Sequence, residues 1–306
     1  MSARFVFITA AELGPYVEGL RAIERETEYP IGDGADAFTI DHGPEYHPFF
    51  TALGDDARFL LALEGERVVG GVVGVGRKVR IRGRMVGAVY GGDWKVAADH
   101  RGDGTARRMM LWGSTRIFTD PSLLTWRYAY VAAMRGENGD VMRAAKGLHP
   151  GRLGRPAATL AVYFVDPARL AALSLDGAPP PPAEDDGIDL SYVTAGTVEP
   201  PGLVSTAGRK DLRLRSTGEP WPLVHLALGP SHWRPTWPAY LKACGQALAS
   251  HPSSIACFAM DERMDSHISW LAARGIERGA ACTVYSFDLT LRARRAAWLH
   301  LATSEI

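Results

Sequence analysis

The apolar positions of the first half repeat with the periods of strands and helices. Residues 4–9 are predicted as a first strand, and 11–28 carry apolar residues at helical spacing. Three further apolar stretches predict strands that short turns join into antiparallel pairs: 58–63, 68–75 and 86–96. The predicted order is therefore strand, helix and antiparallel strands, and the last strand leads into a turn.

That turn is polar, contains glycine and opens a helix. The run Arg101-Gly102-Asp103-Gly104-Thr105-Ala106 leaves main-chain N–H groups without helical partners, and its two glycines carry no Cβ that would keep an anion away. The helix predicted from about Thr105 to Phe118 adds the positive end of its dipole. A strand, turn and helix of this kind bind pyrophosphate. Neither the Gly-Lys-Ser/Thr ending of a nucleotide phosphate loop nor a Gly-x-Gly-x-x-Gly fingerprint is present.

Residues 101–106 match Arg-x-x-Gly-x-Ala, and here the chain resembles the GCN5-related N-acetyltransferase (GNAT) superfamily. The resemblance covers about residues 1–170 and implies that acyl-CoA binds as co-substrate, with its pyrophosphate on this turn. It also implies that the strand before the turn pairs with the pantetheine arm, with Ala98 where members commonly carry proline. The residues implied to contact acyl-CoA are Val96, Ala97, Ala98, Arg101, Gly102, Asp103, Gly104, Thr105, Ala106, Arg107 and Asn138.

The segment after the turn agrees with the family except at one helix. Residues 126–133 and 159–165 are predicted strands, with a helix between them that Gly147 ends. Asn138 stands nine residues before Gly147, closer than is usual in the family, and Arg143 stands where many members carry the tyrosine that protonates the departing thiolate. The resemblance therefore leaves the general acid unassigned.

Acylation of an amine by a thioester requires a base that removes the amine proton. Asp93 is the nearest carboxylate on the strand before the turn and is the first candidate for this base. An equal alternative is that Asp93 caps or pairs at the entrance of the strand. Tyr128 and Tyr130 alternate on the neighbouring predicted strand, so one could replace the missing acid, or both could pack in the core. Glu45 and His47, in the long connection after the first helix, are secondary base candidates.

The second half resembles a degenerate copy of the first. Its predicted elements follow the order strand, helix, strand, helix and strand: 221–228, 237–250, 254–260, 265–274 and 280–290. Where a pyrophosphate turn should stand, 229–235 has no Gly-x-Gly/Ala and contains Pro230 and Pro235, which lack N–H donors. An unrelated α/β domain packed on the first is the alternative. The predicted fold is α/β, with a mixed, mostly antiparallel acetyltransferase-like sheet flanked by helices in two tandem copies.

A proline-rich stretch separates the two halves. Ser174 to Gly187 contains four consecutive prolines, breaks the apolar periodicity and predicts an extended, solvated linker. The predicted units are therefore 1–173, which would bind acyl-CoA, the linker 174–187, and the degenerate unit 188–306.

Composition narrows the choice of function. The net charge is zero, which gives no support for a nucleic acid partner, and no apolar run is long enough to span a membrane. No secretory segment opens the chain, so a cytoplasmic location is expected. Cys244, Cys257 and Cys282 form no Cys-x-x-Cys pair and are expected to be buried apolar residues, so neither a disulfide framework nor a metal site is predicted.

The sequence predicts an acyltransferase that moves an acetyl or other acyl group from acyl-CoA to an amine of a small molecule or peptide by direct attack. One alternative is transfer of a long acyl chain from CoA or a carrier protein, as in N-acyl amino acid synthases. In that case the basic side chains of one hairpin would bind an acidic carrier protein; they are Lys78, Arg80, Arg82 and Arg84. The alternative is that these side chains form a solvated strand face. A second alternative is a non-catalytic acyl-CoA sensor or scaffold. Assembly as a homodimer is compatible with each.

Overall fold

The strands form one large sheet and a small second one. The computed structural model describes residues 3–31, 36–54, 56–119, 126–136, 139–140, 155–192, 202–233, 236–249, 254–289 and 293–306. Its strands are β1 (Arg4–Thr9), β2 (Tyr29–Ile31), β3 (Asp36–Asp41), β4 (Asp56–Glu64), β5 (Arg67–Ile81), β6 (Arg84–Val96), β7 (Tyr128–Gly136), β8 (Gly139–Asp140), β9 (Arg155–Val165), β10 (Gly187–Asp189), β11 (Leu203–Val204), β12 (Asp211–Leu214), β13 (Leu223–Leu226), β14 (Ile255–Asp261), β15 (Ala280–Asp288) and β16 (Trp298–His300). Strands β2, β3 and β12 form a three-stranded sheet, and the others form a 13-stranded sheet.

Local sequence explains where several helices begin. The α-helices are α1 (Val17–Arg25), α2 (Pro48–Leu53), α3 (Thr105–Thr119), α4 (Pro167–Ala171), α5 (Trp237–Leu248) and α6 (Asp265–Ala272). Proline occupies the first turn of α2, α4 and α5, where no N–H donor is required. Asp166 and Thr236 cap α4 and α5, since their side chains accept hydrogen bonds from the N–H groups of Ala168 and Ala239. Within the ranges given above, no helix is both long and apolar enough to cross a membrane.

The first half begins the large sheet with β1, β4, β5 and β6, and each neighbouring pair is antiparallel. This order confirms the predicted antiparallel strands. The register of β5 and β6 shifts between Gly71 and Val73, where β6 carries one additional residue. Asp93 lies in this bulge and takes a left-handed φ of 53°. The bulge bends β6 shortly before the turn at 101–106.

Strands β6 and β7 pair over a short stretch only. They run parallel, and the pairs extend from Ala88 and Tyr128 to Gly91 and Val131. Both strands continue beyond these pairs without pairing to each other. The two strands therefore diverge and leave a gap in the sheet at their carboxyl ends.

The two halves of the chain share the centre of the large sheet. From β6 to β13 the order is β6, β7, β15, β9, β14, β13. Strand β15, from the second half, lies between β7 and β9, while β9, from the first half, lies between β15 and β14. Of the five neighbouring pairs, the two outer ones are parallel and the three inner ones antiparallel. The pattern of strand directions is therefore the same when it is followed from either end. This arrangement confirms the predicted tandem copies and relates them by an approximate twofold axis between β15 and β9.

The proline-rich stretch, predicted as a solvated linker, lies along the second half. Three tryptophan indoles donate hydrogen bonds to its main-chain oxygens: Trp270 to Asp176, Trp237 to Pro179 and Trp298 to Ala183. Such indole donors need an acceptor when they are buried, so they hold the stretch in place. Glu184 and Asp186 then lie 3.7 and 3.9 Å from Arg80 and Arg82. Two of the basic residues considered for carrier binding thus have acidic partners within the chain.

Buried apolar side chains form clusters on both sides of the large sheet. The largest cluster joins the two halves and includes Leu61 and Val75 from the first, with Val284 and Leu299 from the second. A smaller cluster beneath α3 contains Met109. The three cysteines are buried, as predicted.

Candidate active site

The turn between β6 and α3 has the backbone that its glycines allow. Gly102 and Gly104 both have a φ of +89°, a left-handed conformation in which any side chain is strained. A Cβ at Gly102 would meet nothing within 4 Å, so the turn faces open space. The N–H groups of Gly102, Gly104 and Ala106 donate no hydrogen bond to any described residue. The turn thus offers main-chain donors and the N-terminal end of α3, a combination that suits an anion.

Charged side chains surround this turn. The carboxylate of Asp103 accepts hydrogen bonds from the N–H of Thr105 at 2.7 Å and from its hydroxyl at 3.0 Å, and so caps α3. Nδ1 of His100 lies 3.1 Å from that carboxylate, and the guanidinium of Arg108, at 3.8 Å, offsets its charge. The exposed Arg107 adds a further positive charge. A diphosphate on the turn would therefore meet more positive than negative charge.

A cavity of about 430 Å³ passes through the gap between β6 and β7, a volume within the usual range of roughly 300–1,000 Å³ for small-molecule sites. Successive residues of both strands line it, 89–94 on β6 and 129–134 on β7. Because successive strand residues face opposite sides of a sheet, the cavity extends on both sides. It lies beneath Met109 and Gly113 of α3 on one side and reaches His225 on the other.

A buried network of acidic and basic groups lies next to the bulge in β6. Lys95 donates a hydrogen bond to Glu24 at 2.8 Å and forms an ion pair with Asp93. His42 contacts the same Glu24 oxygen through Nδ1 at 2.5 Å, and the hydroxyl of Tyr46 donates to Asp93. The charged and imidazole side chains of this network are at most 5% exposed. His42 and Asp93 also line the cavity, so the network forms part of its wall.

Opposing effects act on the pKa of Asp93. Burial alone would raise it, but the charges of Lys95 and His42 and the hydrogen bonds from Lys95 and Tyr46 bring it below its usual value. Asp93 is therefore ionised at neutral pH, with one oxygen paired to Lys95 and the other bonded to Tyr46. An incoming amine would meet a carboxylate that already has two partners. The role of Asp93 as the base stays a prediction.

Glu24, His42 and Asp93 offer three ligand atoms that lie within 4.8 Å of one another. This donor set would suit a divalent cation, but the ammonium of Lys95 contacts both carboxylates. A metal ion would have to share that space with a like charge, which is unfavourable in a buried site. A lysine thus already supplies the cation that these carboxylates require.

Comparison with known proteins identifies the first half of the chain. Residues 31–138 match the family model described as acetyltransferase (GNAT) domain. This part of the chain is therefore a GNAT domain. No curated protein sequence matches it.

Two solved structures are similar to this chain in fold. N-myristoyltransferase of Saccharomyces cerevisiae with bound myristoyl-CoA is similar with a TM-score of 0.50 and 12% identity, over 94% of this chain and 79% of that one. A tandem GNAT protein from the clavulanic acid biosynthesis pathway is similar with a TM-score of 0.48 and 13% identity, over 94% of this chain and 98% of that one.

The predicted acyl-CoA contacts other than Asn138 lie at the junction of β6 and α3. Val96 ends β6, and its main-chain oxygen accepts a hydrogen bond from Nε of Arg101 at 3.0 Å. The N–H groups of Ala97 and Ala98 already donate to other parts of the chain, so they would have to exchange partners to pair with a pantetheine arm. Asn138, also predicted to contact acyl-CoA, lies outside the described residues. The binding roles of these residues stay predictions.

Tyr128 and Tyr130 lie on the same side of β7, as their alternation predicts. Both are buried, and Tyr130 lines the cavity, where its hydroxyl accepts a hydrogen bond from Arg77 at 3.2 Å. Burial raises the pKa of both hydroxyls, that of Tyr128 to about 12, so each stays protonated at neutral pH. Tyr130 therefore presents a protonated hydroxyl at the wall of the cavity, and its role as the acid stays a prediction.

Several residues of the network and the cavity wall belong to no sequence motif: Glu24, His42, Lys95 and Lys210. A lysine between apolar residues near the end of a strand, as Lys95 is between Trp94 and Val96, is a signal that indicates a buried ionic partner. The secondary base candidates Glu45 and His47 lie elsewhere. Glu45 is exposed and His47 precedes α2, and neither lines the cavity.

The second half closes the place where its own pyrophosphate turn would stand. A short 3₁₀ turn at Pro230–His232 follows β13, and the buried Trp233 packs against Trp298 with ring centroids 5.0 Å apart. A Cβ at Gly229 would lie 2.7 Å from the His300 ring. Pro235 lies outside the described residues. Side chains therefore fill this region in the part of the second half that the structure describes.

Proposed function

We propose that the chain is an N-acyltransferase that transfers an acetyl or other acyl group from acyl-CoA to an amine by direct attack. The observation that carries this proposal is the position of the glycine turn, which follows β6 beside the gap between β6 and β7. The gap opens into the cavity. The family match supports acyl-CoA as the co-substrate. The pyrophosphate would lie on 101–106 and the thioester in the gap.

The bulge in β6 supports stabilisation of the reaction intermediate. Attack of the amine on the thioester carbonyl forms a C–N bond and places negative charge on the carbonyl oxygen. A bulge releases main-chain groups from the strand ladder, so the segment around Asp93 offers N–H donors at the edge of the gap. Collapse of the intermediate then breaks the C–S bond and releases CoA as a thiolate.

We assign the two proton transfers to residues of the cavity wall. Asp93, which is ionised, receives the amine proton directly or through a water molecule. Tyr130, which stays protonated because burial raises its pKa, gives a proton to the thiolate. Tyr128 lies beside it in the strand, and its burial supports a packing role.

Release of free CoA tests the proposal. Purified protein is incubated with acetyl-CoA or octanoyl-CoA and a panel of amino acids, polyamines and a lysine-containing peptide, and the thiol formed is measured. We expect CoA release that depends on an amine, with the amide product identified by mass spectrometry. Acyl-CoA binding without such release would favour a non-catalytic binding role. Absence of both binding and release would reject the proposal.

A further inference from the structure

The side of the cavity beneath α3 can be identified from strand pairing. Gly74, Gly91 and Val131 are paired across β5, β6 and β7 and so face the same side of the sheet. Leu60 of β4 pairs with Val72, which lies two residues before Gly74, so Leu60 faces that side as well. A Cβ at Gly113 of α3 would lie 3.1 Å from Cδ2 of Leu60, so α3 covers this side of the sheet. We call this part of the cavity the α3 chamber. Its lining includes Leu60, Val72, Gly74, Val89, Met109 and Val131.

The two parts of the cavity differ in chemistry. The part on the opposite side of the sheet contains groups that can exchange protons, among them His42, Asp93 and Tyr130. The α3 chamber is mostly apolar, and Arg58, which also lines it, is paired with Asp56 at 2.6 Å. The parts connect where β6 and β7 cease to pair. A thioester in that gap would have proton-transfer groups on one side and apolar space on the other.

We propose that the α3 chamber holds the hydrocarbon tail of a long-chain acyl-CoA and that Gly74 limits the length of this tail. The inference rests on the proposed function. An acetyl group would extend little beyond the gap, whereas the chamber continues beneath α3. Removing a methylene from water strengthens binding by about three- to fourfold, so a tail that fills the chamber would be strongly preferred. The amine would then approach from the opposite side, where Asp93 and Tyr130 lie.

Gly74 forms part of the chamber wall and can be enlarged without a clash. Its backbone is that of an ordinary strand, and a Cβ there would meet Val89 at 3.8 Å, which is normal van der Waals contact. A longer side chain would therefore enter the chamber. Gly91 beside it is unsuitable, because a Cβ would lie 2.9 Å from Val131.

Calorimetric titration with acetyl-CoA, octanoyl-CoA and decanoyl-CoA tests the inference on the wild type and on Gly74→Ala, Gly74→Val and Gly74→Leu. We expect the wild type to bind decanoyl-CoA at least about tenfold more tightly than acetyl-CoA. In Gly74→Leu this preference should fall by about tenfold or more, with smaller losses for valine and alanine. Affinity for acetyl-CoA should stay within about twofold of the wild type. Gly14→Leu, the same change at an exposed position with nothing within 4 Å, should bind all three ligands as the wild type does.

The outcomes separate this inference from the proposed function. Equal affinity of the wild type for acetyl-CoA and decanoyl-CoA would overturn the inference and leave the proposed function intact. A loss in the Gly74 series that is equal for all three ligands would also overturn it. No binding of any acyl-CoA by the wild type would contradict the proposed function. If Gly74→Leu fails to fold, the alanine and valine variants still provide the graded comparison.

Discussion

Asp93 combines a left-handed backbone with a buried ion pair. Asparagine tolerates the same backbone, so Asp93→Asn changes the charge and not the path of β6. If Asp93 accepts the amine proton, turnover should fall by roughly 10²- to 10⁴-fold. The loss should shrink as the pH rises, because a larger fraction of the amine then arrives unprotonated. Steady-state rates from neutral to alkaline pH measure both effects.

A purely structural role of Asp93 gives a different result. In Asp93→Asn the buried Lys95 loses one of its two carboxylate partners and keeps only Glu24. Breaking a buried ion pair lowers the free energy of unfolding by about 3–5 kcal/mol. A rate that falls with stability and does not recover at high pH would contradict the role as base. Asp99→Asn is the control, because it breaks an exposed pair with Arg67 and should change neither quantity appreciably.

His225 provides a prediction on stability and pH. Burial, with a smaller contribution from the charge of Lys210, lowers the pKa of His225 to about 3. The unfolded imidazole titrates at about 6.5, so above that pH neither state is protonated and the stabilisation is complete. As the pH falls from about 6.5 towards 3, only the unfolded state binds the proton, and stability is lost. His225→Gln should therefore lose unfolding free energy less steeply in this range.

Urea unfolding of the wild type and His225→Gln at several pH values measures that difference. Glutamine can keep a hydrogen bond with Thr303, which lies 2.9 Å from Nδ1 of His225. His47→Gln, at a partly exposed position, is the control and should follow the wild type. Parallel curves for the wild type and His225→Gln would show that the imidazole is not held neutral by the fold.

Among the elements, the turn before α3 can be tested separately from the fold. Gly104→Val should nearly abolish acyl-CoA binding, because the side chain would occupy the place of the pyrophosphate. Valine is also strained at a φ of +89°, so a matched control is required. Gly65→Val supplies it, since Gly65 has a φ of +61° in the turn between β4 and β5 with nothing within 4 Å.

Calorimetry and thermal unfolding compare the two glycine variants. Both should lose thermal stability through backbone strain, and Gly65→Val should bind acyl-CoA as the wild type does. Unchanged affinity in a folded Gly104→Val protein would remove the turn from the binding site. An equal loss of affinity in both variants would point to strain and not to the pyrophosphate.

The turn and α3 were predictable from sequence, whereas the bulge beside them was not. Gly102, Gly104 and the start of the helix at Thr105 lie within a few residues of one another, so a local pattern is sufficient. The bulge at Asp93 depends on how β6 pairs with β5, which the sequence of β6 does not reveal. The partners of Lys95 likewise come from distant parts of the chain. The sequence therefore predicted the backbone of the turn better than the buried network around Asp93.

At the scale of the whole molecule, the strands were predictable and their neighbours were not. The apolar pattern predicts strands at 159–165 and 280–290, and the structure has them as β9 and β15. A strand that is buried on both sides fits any interior position of a sheet, so the pattern does not specify its partners. The interleaving of β9 and β15 is a long-range property of both halves together.

This interleaving predicts that the first half does not fold alone. A fragment of residues 1–175 lacks β15, so β7 and β9 lose the strand that pairs with both and expose unpaired edges and apolar surface. We expect this fragment to be insoluble or unfolded, and co-expression with 176–306 to restore a soluble complex that binds acyl-CoA. Size-exclusion chromatography and circular dichroism, with the intact chain as control, measure the result. A soluble 1–175 fragment that binds acyl-CoA on its own would show that the first half has a complete core without β15.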